Sequence, residues 1–109
     1  MARSVTRLAI VYALFGDRAA AEAAATRMIE AGLAACANVQ APCLSIYRWE
    51  GTMERAEETP VLFKTAPARR DALMTALAHA HDYAVPAISS WEAETTADYG
   101  AWVAGTAAD

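Results

Sequence analysis

The chain has 109 residues, 29 of them alanine, and its 13 acidic against 9 basic side chains leave a net charge of −4. That length suits one domain with a modest core, expected over 1–109, and small alanine side chains leave that core thin enough to favour close helix packing or self-association. The acidic balance argues against a general binder of nucleic acid or of anionic membrane, since either needs a basic footprint.

No apolar run approaches the roughly 20 residues of a membrane span, and the first ten residues lack the apolar stretch of a signal peptide. A cytoplasmic protein is the expectation. Cys36 and Cys43 fit a reducing compartment as free thiols rather than a disulfide framework.

In chain order, Val5 to Tyr12 alternates with a period of two and reads as a central strand. Gly16 and Asp17 stop it, and Asp17 is placed to cap the helix that follows. From Arg18 to Ala31 the alanines 21, 24 and 25 and Met28 fall on one face, opposite Arg18, Glu22, Thr26 and Glu30. Gly32 closes that helix by supplying a left-handed backbone position.

Leu33 to Val39 is the second strand candidate, interrupted at Pro42, which lacks the ladder donor. Alternation resumes over Cys43 to Trp49, and Glu50-Gly51-Thr52 reads as a hairpin tip. Val61 to Lys64 is the core of the returning strand, while Met53 to Thr59 is too polar to be buried on both faces. Two long exposed arms therefore project from the core.

Pro67 suits the start of a second helix, capped from Thr65 or Ala66, whose apolar stripe is Leu73, Ala76, Leu77 and Ala80. Val85 to Trp91 is the last strand candidate, with Pro86 pointing to an edge or a strand start. A final helix over Ala97 to about Ala104 turns Tyr99, Trp102 and Val103 inward. The order predicts an α+β, ferredoxin-like split β-α-β sandwich with a long central hairpin and a C-terminal helix. Its second sheet face, expected to carry Ala9, Val11, Tyr47 and Trp49, predicts self-association.

Four ordered segments carry a resemblance: Leu33-Ala34-Ala35-Cys36-Ala37-Asn38-Val39, Ser45-Ile46-Tyr47-Arg48-Trp49-Glu50-Gly51, Lys64-Thr65, and His81-Asp82-Tyr83-Ala84-Val85-Pro86-Ala87-Ile88. Together they resemble the motifs of the CutA family, the divalent-cation tolerance proteins, over about Val5 to Val103. The resemblance implies a ferredoxin-like fold, a tight homotrimer with its sheets around the threefold axis, and a role in tolerance of copper and other divalent cations. The family commonly has His-Pro-Tyr-Glu-Val-Pro-Glu where this chain has Asp82 at the first proline and Ala84 and Ala87 at the glutamates. Two potential hard ligands or acid-base groups are thus methyl groups.

Cys36 and His81 are the metal-ligand candidates, a thiolate and an imidazole suited to Cu(I) or Zn(II), whose site copies of the chain would complete; an inert cysteine and a backbone-bonded histidine are the alternatives. Tyr83 can hold or orient His81. Lys64, at the end of an apolar strand, must reach solvent or meet an acid, and is a candidate for binding an anion or for an intersubunit ion pair with Glu57 or Glu58. Tyr47, Trp49 and Tyr83 are interface candidates, since basic residues do not interleave with the aromatics as nucleic-acid stacking requires. No triad, Gly-x-Gly-x-x-Gly or Walker motif is present, so an enzyme is not expected and copper or another divalent cation is the only cofactor class suggested. The competing reading is a small-anion or nucleotide sensor of PII-like trimeric architecture, with Lys64 and Arg69 supplying charge.

Overall fold

The computed structural model of the chain describes residues 4–107. β1 (Val5–Phe15) is its central strand, antiparallel to β4 (Thr52–Thr65) on one side and to β5 (Ile88–Thr96) on the other. β2 (Cys36–Val39) and β3 (Cys43–Trp49) both pair with the far edge of the long β4, giving the order β2-β4-β1-β5 with β3 alongside. With α1 (Arg18–Glu30) after β1 and α2 (Arg70–Ala80) after β4, this is the expected ferredoxin-like α+β arrangement.

The alternation of β1 sorts its side chains onto two faces, each covered by different helices. Val11, Ala13 and Phe15 pack with Val61 and Phe63 against Ala21, Ala24, Ala25 and Met28 of α1 and Leu73 and Leu77 of α2. Fully burying each of Phe63, Leu73 and Leu77 contributes about 1.5–3 kcal/mol. The alanine face of α1 adds little area of its own, but it lets that helix lie close to the sheet. On the opposite face Leu8 packs with Val103 and Ala107, flanked by Ile10, Ala93 and Tyr99. That cover is α3 (Ala97–Thr106), which crosses one end of the sheet.

Alternation alone does not say which face the helices take, and here the expectation is corrected. Ala9 and Val11 are fully buried on the helix-covered side. The part of the sheet left open beyond α3 instead carries Tyr12, Leu62 and Trp91, with Tyr47 and Trp49 continuing that face onto the arm.

The helix ends follow local chemistry. Asp17 accepts the Ala20 amide at 2.8 Å as the cap of α1. At the other end Gly32, at φ 74°, lets the Leu33 amide reach back to Met28 O at 3.0 Å, a Schellman closure. Thr65 does not cap the second helix: its hydroxyl donates to Leu33 O at 2.7 Å, and a 3-10 turn over Pro67–Arg69 leads into α2 with no side-chain cap. Trp102 is half exposed and stacks on Tyr99, leaving Gly100 and Val103 to face the sheet.

The expected long exposed hairpin is present. Met53 to Thr59 is strand despite its charge, because β3 and β4 form a two-stranded ribbon whose arm residues mostly face solvent. Its tip, Glu50 and Gly51 at φ 50° and 82°, has the two left-handed residues of a tight hairpin turn. Between Val39↔Val61 and Cys43↔Glu58, residues 40–42 oppose only Thr59 and Pro60, so the edge bulges by one residue. The bulge sits where Pro60 has no amide to give, while Pro60 O still accepts the Gln40 amide at 2.9 Å. β5 starts three residues later than expected, at Ile88, and runs on through Thr96, with Pro86 left in the preceding loop.

Candidate functional site

The loop that leaves α2 is pinned by its first residue. His81 has a fully buried side chain, stacked on Phe15 with ring centroids 4.8 Å apart. Its Nδ1 accepts the Tyr83 amide at 3.1 Å, so the proton of the neutral ring lies on Nε2, which donates to Leu14 O at 2.7 Å. Asp82 approaches Nδ1 to 3.4 Å, yet with Nδ1 serving as acceptor this is no ion pair. Both imidazole nitrogens are therefore engaged within the chain.

Tyr83 carries the loop across to the arm. Its hydroxyl donates to Glu58 Oε2 at 3.0 Å, and Glu58 is only 7% exposed where β4 enters the arm. Burial first, then that bond and the Glu58 charge, push the Tyr83 phenol up to about 12. The carboxylate thus has one oxygen bonded and a second without a protein partner among the described residues. Gly16 lies beneath the ring: a Cβ there would sit 3.3 Å from the Tyr83 hydroxyl.

Between this loop and the arm runs a cleft of about 700 Å³. Glu58, Ser45 and Tyr83 supply its polar groups, and Leu14, Tyr47, Trp49 and Val85 its apolar walls. Ala84 and Ala87 also line it, so their methyl groups stand where the resembling motif has carboxylates. Among the described residues no Lys or Arg borders it.

The other candidates lie elsewhere on the sheet. Cys36 is level with Lys64 and, through it, with Ile10, whereas His81 bonds to Leu14. Four residues of β1 separate those levels, roughly 13 Å, so one chain does not bring Cys36 and His81 together. Lys64 places Nζ 6.0 Å from the centroid of the Tyr99 ring. Burial, followed by the Cys36 sulfur beside it, raises the Tyr99 phenol above its ordinary range. Lys64 is six residues along β4 from Glu58, roughly 20 Å, and Glu57 is exposed on the other face of the arm. Arg69 donates to Gly32 O at 3.1 Å. Among the described residues no group of three or more His, Cys, Asp and Glu side chains is arranged to hold a metal ion.

The pattern of the family described as CutA1 divalent ion tolerance protein matches residues 9–106, nearly all of the described chain. The chain belongs to the CutA family. Among relatives, it is 31% identical to the divalent-cation tolerance protein CutA of Citrobacter koseri over 76% of this chain and 72% of that one. CutA from Synechococcus elongatus superposes with a TM-score of 0.89 at 29% identity, covering 96% of each chain. The Cut A1 protein of Thermus thermophilus gives 0.86 at 29% identity, over 91% of this chain and 97% of that one.

Within the CutA frame, the contact between Tyr83 and Glu58 is what sequence reasoning did not pair. Glu58 was readable as an acid near the end of a polar arm, and Tyr83 as a neighbour of His81. Their meeting depends on how the loop folds back over Gly16, for which the spacing carries no signal.

Proposed function

We propose that this CutA protein is a cytoplasmic homotrimer acting in divalent-cation tolerance, that it binds copper weakly, and that it does so without catalysing a reaction. Family membership carries the cation role. The trimer is supported by apolar surface that one chain leaves open: Trp91 on the sheet, and Leu44 and Met53 on the outer side of the arm, 57% and 61% exposed. No helix among the described residues is long and apolar enough to cross a membrane.

Copper binding rests on Cys36, a half-buried free thiol whose soft sulfur suits Cu(I). One thiol is a poor site, and a symmetric assembly supplies further copies of it. His81 joins such a site only after giving up its bonds to Leu14 and Tyr83, which favours weak binding. The anion-sensor reading gains no support from the cleft, which holds a carboxylate and, among the described residues, no basic residue.

Calorimetry with Cu(II), and with Cu(I) under reducing conditions, tests the proposal on wild type, Cys36→Ser and His81→Ala. Saturable binding that Cys36→Ser abolishes while the assembly persists is the expected result. Affinity no tighter than about 1 mM for either ion, roughly −4 kcal/mol, overturns direct copper binding.

A further inference from the structure

We propose that an ion pair between copies fixes the register of the assembly: the Lys64 ammonium of one chain is the counter-ion of Glu58 of the partner subunit. The pair presupposes the homotrimer proposed above and names the contact that selects its geometry. Lys64 is the chain's one lysine, half-buried in a row that runs Cys36, Lys64, Ile10 and Trp91 across the sheet. Trp91 belongs to the apolar surface that a neighbouring copy covers, and two strand spacings, roughly 10 Å, separate it from Lys64. The same cover therefore takes water from the ammonium.

Its own chain offers that ammonium the Tyr99 ring, whose centroid lies 6.0 Å from Nζ, and among the described residues no carboxylate within ion-pair distance. Glu58 has the converse deficit. It is 7% exposed, and it accepts a hydrogen bond from the neutral Tyr83 phenol but pairs with no described Lys or Arg of its own chain. Charges withdrawn from water without a counter-ion are costly, and a charge-assisted hydrogen bond offsets that cost for both partners. Period two along β4 puts residues 58, 62 and 64 on one face, which Tyr47 and Trp49 continue onto the arm beside Glu58. Both groups thus lie on the face the assembly covers, roughly 20 Å apart, too far to meet within one chain.

A closed ring of three is built on a heterologous interface, in which one patch of each copy meets a different patch of the next. A basic end and an acidic end of one face are complementary patches of that kind, whereas Lys64 set against its own copy would repel. The other acids fit less well. Glu57 faces the outer side of the arm, Glu54 is exposed on the arm and keeps its water, and Glu92 is held by Arg7 at 2.9 Å.

The test is a double-mutant cycle on assembly, read by sedimentation equilibrium of the intact protein in a urea concentration at which the wild type is partly dissociated. Lys64→Met keeps the apolar stem and removes the charge, and Glu58→Gln keeps an acceptor for Tyr83. Lys64→Met should raise the trimer dissociation constant at least tenfold in the wild-type background and less than twofold in Glu58→Gln. Residues that far apart in one chain act additively, so such coupling reports a contact between copies. Equal effects of Lys64→Met in the two backgrounds overturn the ion pair, whether the ammonium then faces solvent, a free anion or another acid. Lys64→Glu sets a carboxylate against Glu58 of the partner subunit and should abolish the trimer while each chain keeps its secondary structure; an unweakened Lys64→Glu trimer also overturns the pair. A wild type that is a single chain without urea overturns the trimer and the pair together, whereas a wild-type trimer with no coupling overturns the pair alone.

Discussion

Tyr83 donates its hydroxyl to Glu58 Oε2 at 3.0 Å, and that bond fastens the loop after α2 to the root of the hairpin arm. Tyr83→Phe removes the bond while keeping the ring against His81, whose centroid lies 4.5 Å away. A net loss of about 1 kcal/mol is expected, measured as a lower urea midpoint with an unchanged slope.

The same pair sets an alkaline limit. A phenol moved from 10.0 to about 12 on folding keeps its proton longer in the native state. Its contribution is therefore fully present below pH 10 and is lost as pH rises through about 12. Unfolding measured across that window should show a fall in stability that is smaller in Tyr83→Phe, and tyrosinate absorbance should show one late-titrating group that the variant lacks. Identical pH dependence in the two proteins would contradict this.

Gly100 is where α3 meets β1. A Cβ there would clash with Thr6 Cγ2 and lie 3.1 Å from Thr95 Cγ2, so Gly100→Ala must lift the helix or displace the threonine. A cost of roughly 1–3 kcal/mol is expected. Adding Thr6→Ser removes the nearest methyl group and should recover part of that loss, read as a rise in thermal midpoint over the single variant.

His81→Ala removes a buried ring and leaves Leu14 O without its donor. The expected destabilisation is about 2–4 kcal/mol from the lost packing and the unpaired carbonyl together. Thermal unfolding beside the copper titration will therefore show whether a binding change in this variant follows from folding. A variant as stable as wild type would contradict the placement of the ring.

The ends of α1 were legible because their causes are local: Asp17 bonds three residues ahead, and Gly32 supplies its own backbone angle. The span of β3, Cys43–Trp49, was legible from alternation and a hairpin signal. The polar half of β4 was legible as an exposed arm but not as strand residue by residue, since a ribbon largely exposed to solvent needs no apolar period to persist when its turn and cross-strand bonds hold it. β5 runs on past its expected end at Trp91 for a related reason: Glu92, Glu94, Thr95 and Thr96 look like loop but occupy an edge strand. Ala9 and Val11 show the remaining gap, because period two separates two faces without naming the one the helices cover. For the site, residue types were readable, while the meeting of Glu58 with Tyr83, and the distance between Cys36 and His81, depend on long-range register.

The central claim, that the open sheet face and the arm are completed by two further copies of the chain, is tested most directly by the mass in solution. Light scattering at micromolar concentration should give three times the 11.6 kDa of one chain, and Trp91→Ala or Met53→Asp should shift that mass downward. A wild-type protein that scatters as a stable single chain at that concentration would contradict it.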